Sequence, residues 1–248
     1  MSFSSDWLTL RRPADAVARN SKVAGALAAH FQGRPEVRVI DLGAGTGSNR
    51  LLTAPHLPPA QSWVHVDSDE TLLAQIEPVS GVTTCVFDLA ADLDPLLSAE
   101  FDLVTCSALL DLCGAVWLDE FASLLHRDQL PLYAVLSYDG RELWEPTHPS
   151  DKAVYEAFLA DQRTDKGLGL SLGPGAHSYL ADRLRQLGFT VHEGQSDWIL
   201  GQSDYSELIA ALAEGAGAVG GDESWTAARR IAERVTIGHQ DLLALPPA

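Results

Sequence analysis

The chain has 248 residues, 46% of them apolar, with a formal net charge of −17 and a pI near 4.6. That length fits one large α/β domain, and the composition is sufficient for a hydrophobic core. The charge argues against a nucleic acid partner, because the basic pairs Arg11-Arg12 and Arg229-Arg230 are diluted by acidic neighbours. The opening "SFSSDWLTLRRPADAVARN" has no basic start followed by an apolar run, so no secretory signal is expected. No stretch approaches the roughly 18 consecutive apolar residues of a membrane helix, so no membrane association is expected. Cys85, Cys106 and Cys113 have neither CxxC nor zinc spacing. They read as free thiols in a reducing cytoplasm.

The predicted elements alternate. After the N-terminal "DWLTLRRPADAVARN", a helical stretch, "VRVIDLG" is a strand and "SNRLLTAPHLP" a short helix stopped by prolines. "SWVHVDSD" is a second strand, followed by a helix in "ETLLAQIEP". "VTTCVFDLA" is a third and "FDLVTCSALLDL" a fourth, leading to the helical "AVWLDEFASLLHR". "LPLYAVLSYDG" is a fifth. Strands alternating with helices imply parallel βαβ units in a doubly wound sheet, and strands with little polar alternation imply burial on both faces. From Arg141 to about 174 the rhythm breaks, with a helix at Asp151–Gln162 and then the glycine-rich "KGLGLSLGPG". This is too long for an ordinary connection and reads as an insertion over the carboxyl edge of the sheet. "AHSYLADRLRQLG" resumes the pattern as a helix ended by Gly188. "FTVHEG" and "SDWILG" read as a closing antiparallel pair of strands. "DYSELIAALAEGA", a break at "GAVGGDES" and a helix "WTAARRIAERVTIGHQDLLAL" finish the chain. A single domain over 1–248 is expected, with its core at about 22–140 and 175–201, a lid or substrate insertion at 141–174, and C-terminal helices at 202–248 that offer a dimer face.

"VIDLGAGTGSN", Val39 to Asn49, places Gly43, Gly45 and Gly47 between a strand and a helix. A dinucleotide turn needs G-x-G-x-x-G, and Ser48 holds the third glycine position. A phosphate-binding P-loop needs a Lys-Ser/Thr pair, and none follows. Asp41 before the glycines suits an amine-bearing ligand better than a pyrophosphate. Asp67 ends the second strand, where a carboxylate can accept from both hydroxyls of a ribose. Its other reading is an N-cap, which Ser68 or Asp69 can also supply. Asp88, in "CVFDLA", can accept from an exocyclic adenine amine, with the Leu89 amide meeting a ring nitrogen. Its other reading is strand-end capping.

Together these stretches resemble the class I S-adenosylmethionine-dependent methyltransferases over residues 35–140, and over 175–200 in the closing elements. "VIDLGAGTGSN", "WVHVDSD", "VFDLA" and "FDLVTCSALLDL" look like that family's first four motifs. The resemblance implies a Rossmann-like, seven-stranded, mostly parallel sheet with the last strand antiparallel and helices on both faces. It implies S-adenosylmethionine as cofactor and S-adenosylhomocysteine as product. Gly43, Ala44, Gly45, Gly47 and Asn49 would follow the methionine portion and ribose, with Asp41 near the amine. Asp67 and Ser68 would hold the ribose, and Asp88 and Leu89 the adenine. Cys106, Ser107 and Ala108 would line the pocket beside the sulfonium. Arg12 or Arg19 of the N-terminal helix would reach the methionine carboxylate.

Methyl transfer is an in-line displacement that positions the acceptor and excludes water. The Asn/Asp-Pro-Pro-aromatic tetrapeptide of DNA amino-methyltransferases is replaced here by "SALLDL". A small-molecule acceptor is therefore expected, and no metal. Tyr138 and His148 are the candidate catalytic groups, each as a base or a polar clamp. Asp111, Trp117, Asp139, Arg141, Lys166 and His177 are the candidate substrate contacts. Arg141 can pair with a substrate carboxylate, or with Glu142 or Glu145. The glycines and leucines of "KGLGLSLGPG" suit either a lid or a plain flexible loop. Two alternatives stay open: an NAD(P)-dependent oxidoreductase, and a non-catalytic cofactor-binding subunit.

Overall fold

Val37, Val39, Ile40 and Leu42 have no solvent exposure. A strand buried on both faces belongs at the centre of a sheet with helices on either side. The computed structural model, which describes residues 4–97, 100–220 and 222–247, places it there. In chain order the elements are α1 (Ser5–Ala18), α2 (Ser21–Phe31), β1 (Glu36–Leu42), α3 (Ser48–Thr53), β2 (Ala60–Asp67), α4 (Glu70–Leu73), β3 (Val82–Val86), β4 (Leu103–Ser107), α5 (Ala115–Arg127) and β5 (Leu132–Glu145). Then follow α6 (Asp151–Gln162), α7 (Ala176–Gln186), β6 (Thr190–Gln195), β7 (Trp198–Gly201), α8 (Gln202–Gly220), α9 (Glu223–Arg229) and β8 (Arg234–Leu245). Among the described residues the sheet order is β3-β2-β1-β4-β5-β8-β6, with β7 also paired to β8. β1 to β5 are parallel, and β8 is antiparallel to β5, β6 and β7.

One face packs Ile40, Leu42, Val104 and Cys106 against Leu118, Phe121 and Leu125 of α5 and Leu180 and Leu184 of α7. The other packs Val37, Val39, Leu103 and Tyr133 against Val23, Leu27 and Phe31 of α2. Each large side chain so buried contributes about 2 kcal/mol. A third cluster extends the core beyond the edge of the sheet. It joins Trp144 and Trp198 to Leu208, Ile209 and Ala213 of α8 and Trp225 of α9. Among the described residues no helix is long and apolar enough to cross a membrane.

The carboxyl-terminal third departs from the sequence reading. Residues 234–245, expected to continue a helix, form β8. Val235 and Ile237 pack into the third cluster, Leu242 and Ala244 into one face of the sheet, and Leu243 into the other. Burial on both faces and pairing with the open edge of β5 override helical spacing. "FTVHEG" and "SDWILG" do not form a hairpin. β6 pairs with Leu245–Gln240 and β7 with Ile237–Arg234, so they are successive halves of one strand interrupted at Ser196-Asp197. The antiparallel last strand is therefore β8. The expected break over 217–224 is shorter than the glycines suggest, because α8 continues to Gly220 and α9 begins at Glu223. A Cβ at Gly217 would collide with Thr226, so the small residue lets α9 pack closely on α8. Gly221 lies outside the described residues.

Strand β5 changes register against β8 after Ala134 and again after Tyr138. At the first irregularity Leu136 has φ 55°. Its amide donates to Asp241 Oδ1 at 2.8 Å, and the Asn20 amide donates to Asp241 Oδ2 at 2.8 Å. One buried carboxylate thus satisfies a bulge in β5 and the start of α2.

Candidate functional site

The carboxyl ends of β1 to β4 meet on one edge of the sheet, the usual ligand edge of such a fold. Gly43, Gly45 and Gly47 turn the chain there with φ of 64°, 53° and 76°. A Cβ on Gly45 would lie 2.8 Å from Leu8 Cδ1, so this glycine also admits α1. The Ala44 amide donates to Val66 O at 2.9 Å, which ties the turn to β2.

Beside the turn lies a cavity of about 370 Å³. Gly43, Gly45 and Asp67 form one wall, and Phe87, Asp88 and Leu89 another. Ser107, Ala108, Leu109 and Leu112 lie on the β4 side. Leu8 and Arg11 of α1, with Lys166 to Leu168, close it. A smaller space of about 50 Å³ adjoins it, bounded by Arg11, Arg19, Ala44, Thr46, Ser48 and Asn49.

Asp67 lies on the cavity wall with its carboxylate oriented by two backbone donors. The Gly45 amide reaches Oδ2 at 2.8 Å and the Asp69 amide reaches Oδ1 at 3.0 Å. It does not cap α4, because Asp69 accepts from the Thr71 and Leu72 amides there. Each Asp67 oxygen keeps a lone pair for a ligand donor. Asp88 accepts from the Ala90 amide at 2.9 Å and also lines the cavity. Ser68, Leu89 and Ser107 also line it.

Asp41 and Cys106 lie elsewhere. Asp41 is completely buried on the α2 face of β1. It accepts from Asn49 Nδ2 at 2.6 Å and contacts His65 Nδ1 at 3.1 Å. Asn49 Nδ2 also donates to Thr105, and its Oδ1 accepts from Arg19 at 2.8 Å. Asp41, His65 and Thr105 occupy matched positions on β1, β2 and β4, so register alone assembles this polar row. Both oxygens of Asp41 are therefore engaged by interior partners. Cys106 sits in the core, where burial, with Asp41 next, raises its thiol pKa far above the ordinary value. Arg19 and Asn49 border the smaller space while bonded to each other. Arg12 is held by Ser48 Oγ at 3.1 Å.

The acceptor-side candidates scatter. Trp117 is buried and donates to Leu89 O at 2.7 Å, so it fixes the cavity wall from behind. Tyr138 donates to Glu142 at 2.8 Å, and burial followed by that carboxylate drives its hydroxyl pKa far upward, against a role as base. His148 Nδ1 accepts from the Ser150 amide in the turn before α6, away from the cavity. Arg141 takes neither Glu142 nor Glu145. It clamps Asp139, at 2.6 Å, and Asp197, at 2.7 Å, joining β5 to the interruption between β6 and β7. Burial would raise the Asp139 pKa, but bonds from Arg141 and Gln240 lower it overall. His177 is buried against Glu193 at 2.8 Å, and burial lowers its pKa. Lys166 does line the cavity, with its ammonium 2.7 Å from Asp161. Asp111 does not line the cavity but lies between the cavity residues Leu109 and Leu112, and it has one buried oxygen without a partner among the described residues. Burial pushes its carboxyl up to about 6, against the opposing pull of its own backbone, Arg11 and the Tyr138 amide.

Arg11 was missed at the sequence level. It borders both spaces, pairs with Asp15 at 3.0 Å and lies 4.9 Å from the centre of the Trp198 ring. Arg11, Asp15 and Arg19 recur at four-residue spacing, which places them on one helix face, and that was the available signal. His239 was also missed, because β8 was read as helix. It faces Trp198 at 4.9 Å, and burial, with Arg11 next, pushes its imidazole down to about 3.

No family model matches the chain, and no curated protein sequence matches it. Solved structures do. A cyclopropane-fatty-acyl-phospholipid synthase-like protein from Lactobacillus casei is 14% identical, with TM-score 0.55, covering 99% of this chain and 95% of its own. A cyclopropane synthase from Mycobacterium tuberculosis is 13% identical, with TM-score 0.54, covering 98% and 94%. A Haemonchus contortus phosphoethanolamine N-methyltransferase, in complex with phosphomonomethylethanolamine and S-adenosylhomocysteine, is 13% identical, with TM-score 0.51. It covers 92% of this chain and 53% of its own. At these identities the likeness shows the fold: the chain has the Rossmann-like fold of class I S-adenosylmethionine-dependent methyltransferases.

Proposed function

We propose that the chain is an S-adenosylmethionine-dependent methyltransferase that acts on a small molecule. The observation that carries this reading is the orientation of Asp67. Its carboxylate is held on the cavity wall by the Gly45 and Asp69 amides, between the glycine turn and the Asp88-Leu89 segment. A carboxylate so placed accepts from a ribose diol. Asp88 and Leu89 would frame the adenine, and Gly43 to Gly45 would pass along the amino acid portion. Arg19, which borders the small adjoining space and bonds to Asn49 and Thr53 and not to an acid, would face its carboxylate. The cofactor supplies an electrophilic methyl group on a sulfonium. The protein's task is to align the acceptor with it and keep water away.

The residues fit this ligand better than a dinucleotide. Asp67 and Asp88 both line the cavity, Arg11 and Lys166 are already paired with carboxylates, and Ser48 replaces the third glycine. A pyrophosphate in this cavity would meet the Asp67 and Asp88 carboxylates, and the two cations that line it are already engaged with acids. The acceptor would enter from the side of Leu109, Leu112 and Arg11, and Asp111, in the turn between the two leucines, would serve as proton acceptor. The segment 166–175 would act as the lid. It is anchored by Gly114 donating to Leu168 O and Leu172 donating to Cys113 O, both at 2.9 Å. The three free cysteines support a cytoplasmic setting.

Calorimetry with S-adenosylhomocysteine and with NADH tests the reading. The expected outcome is binding of the former only, with Asp67→Ala weakening it at least about tenfold through loss of charge-assisted hydrogen bonds. Absence of S-adenosylhomocysteine binding at millimolar concentration, or undiminished binding by Asp67→Ala, would refute it.

A further inference from the structure

Beyond the cofactor pocket β5 runs on to Glu145 and meets α6, α8 and α9. A second cavity of about 260 Å³ opens there and shares no lining residue with the first. Trp144, Tyr155, Phe158 and Trp225 are four of its ten lining residues, in a chain only 7% aromatic. Trp144 and Trp225 are almost fully buried behind this wall, while Tyr155 and Phe158 are partly exposed. The rings are held in place. Trp144 and Trp225 meet edge to face at 5.3 Å. Trp225 Nε1 donates to Asp151 Oδ1 at 2.7 Å, and Tyr155 donates to Gly140 O.

Glu142 is the acid on this wall. Its oxygens accept from Tyr138 at 2.8 Å and from Trp144 Nε1 at 3.4 Å, and neither donor is charged. Burial raises its pKa above the ordinary carboxylate value, the two donors oppose that rise, and no cation acts on it among the described residues. Asp151, the other acid of the cavity, is already neutralised by Arg229 at 2.8 Å. Lys152 stands at the rim, highly exposed and loosely paired with Glu156 at 3.7 Å.

We propose that this cavity binds a small organic ammonium ion, a quaternary or methylated amine, with Glu142 as counter-charge and the aromatic rings as its walls. A cation over aromatic faces gains from their quadrupoles, and the gain grows as water is excluded. An anion would be repelled by Glu142. A neutral apolar ligand would cover a carboxylate and leave it without a counter-ion. A hard metal ion needs several oxygen ligands, and these walls are mostly carbon. The volume lies just under the ~300 Å³ at which ordinary small-molecule pockets begin, which suits a headgroup-sized ion.

The test uses the full chain with choline chloride and its uncharged isostere 3,3-dimethylbutan-1-ol, at constant ionic strength. Tryptophan fluorescence and calorimetry are the readouts. Choline is expected to bind saturably, and the isostere roughly tenfold or more weakly. Glu142→Gln is expected to lose roughly tenfold in choline affinity and to keep its affinity for the isostere. Lys152→Glu, on the exposed rim, is expected to strengthen choline binding about twofold or more, and it carries the test should Glu142→Gln fail to fold. Binding of S-adenosylhomocysteine is expected to be unchanged in both variants, which separates this site from the cofactor reading. No saturation by choline up to about 100 mM, equal affinity for the two probes, or no response of choline binding to the variants would overturn the proposal.

Discussion

Asp41, Asp67 and Asp88 stand at or just beyond the ends of adjacent parallel strands, yet their surroundings separate their roles. Asp41 shares the face of β1 with Val37 and Val39, under α2, and His65 and Asn49 occupy both its oxygens. Among the described residues Asp67 meets only backbone donors, and it stays on the cavity wall. The strand-end position of Asp67 was legible in the sequence. The commitment of Asp41 was not, because it depends on residues brought in by sheet register. Asp111 offers a measurable consequence. Its carboxyl pKa is raised to about 6 from 3.8, so folding disfavours its ionised form. The resulting penalty is absent below pH 4, grows as pH rises through 6, and is complete above that. Asp111→Asn is therefore expected to raise stability at pH 7.5 by about 1–2 kcal/mol, after allowance for partial exposure, and to leave it unchanged at pH 4. Urea denaturation at the two pH values measures this, and equal effects at both would contradict it.

At the scale of elements, β8 decides how the sheet is completed. Without it β5 would present an open edge, and β6 and β7 would have no partner. Its misreading as helix came from a segment whose apolar residues fit either period over a short window. The ambiguity is resolved by contacts distant in sequence. Asp241 alone bonds to Leu136 and to Asn20, the latter 221 positions away. Asp241→Ala would leave two amides without this acceptor, at a cost of about 2–4 kcal/mol. Thermal denaturation should show a melting temperature lower by roughly 5–15 °C, and a shift within a degree would remove Asp241 from this role. By contrast α6 was legible to the residue, because Asp151–Gln162 lies between a proline-containing turn and a glycine-rich loop.

For the whole molecule, the two cavities lie on different parts of the core. The first is formed by the carboxyl ends of the central strands with α1, and the second by the overhang of β5 with α6, α8 and α9. Ligand linkage gives a global readout of the first. S-adenosylhomocysteine at about 100 times its Kd should stabilise the fold by about 2.7 kcal/mol, raising the melting temperature by roughly 5–10 °C. NADH at equal concentration should leave it unchanged, and the reverse pattern would favour a dinucleotide site.

The sequence by itself determined the alternation of strand and helix, the glycine turn that only positive φ permits, and the placement of Asp67 at the end of β2. These follow from hydrophobic period and backbone conformation, which are local. Only the tertiary structure decided that Asp41 meets interior partners, that Arg11 reaches both spaces at the turn, that residues 234–245 form an antiparallel strand between β5 and β6, and that four aromatic residues line one cavity with Glu142. Each of those depends on edge pairing or on partners far apart in the chain, and no local pattern carries that information.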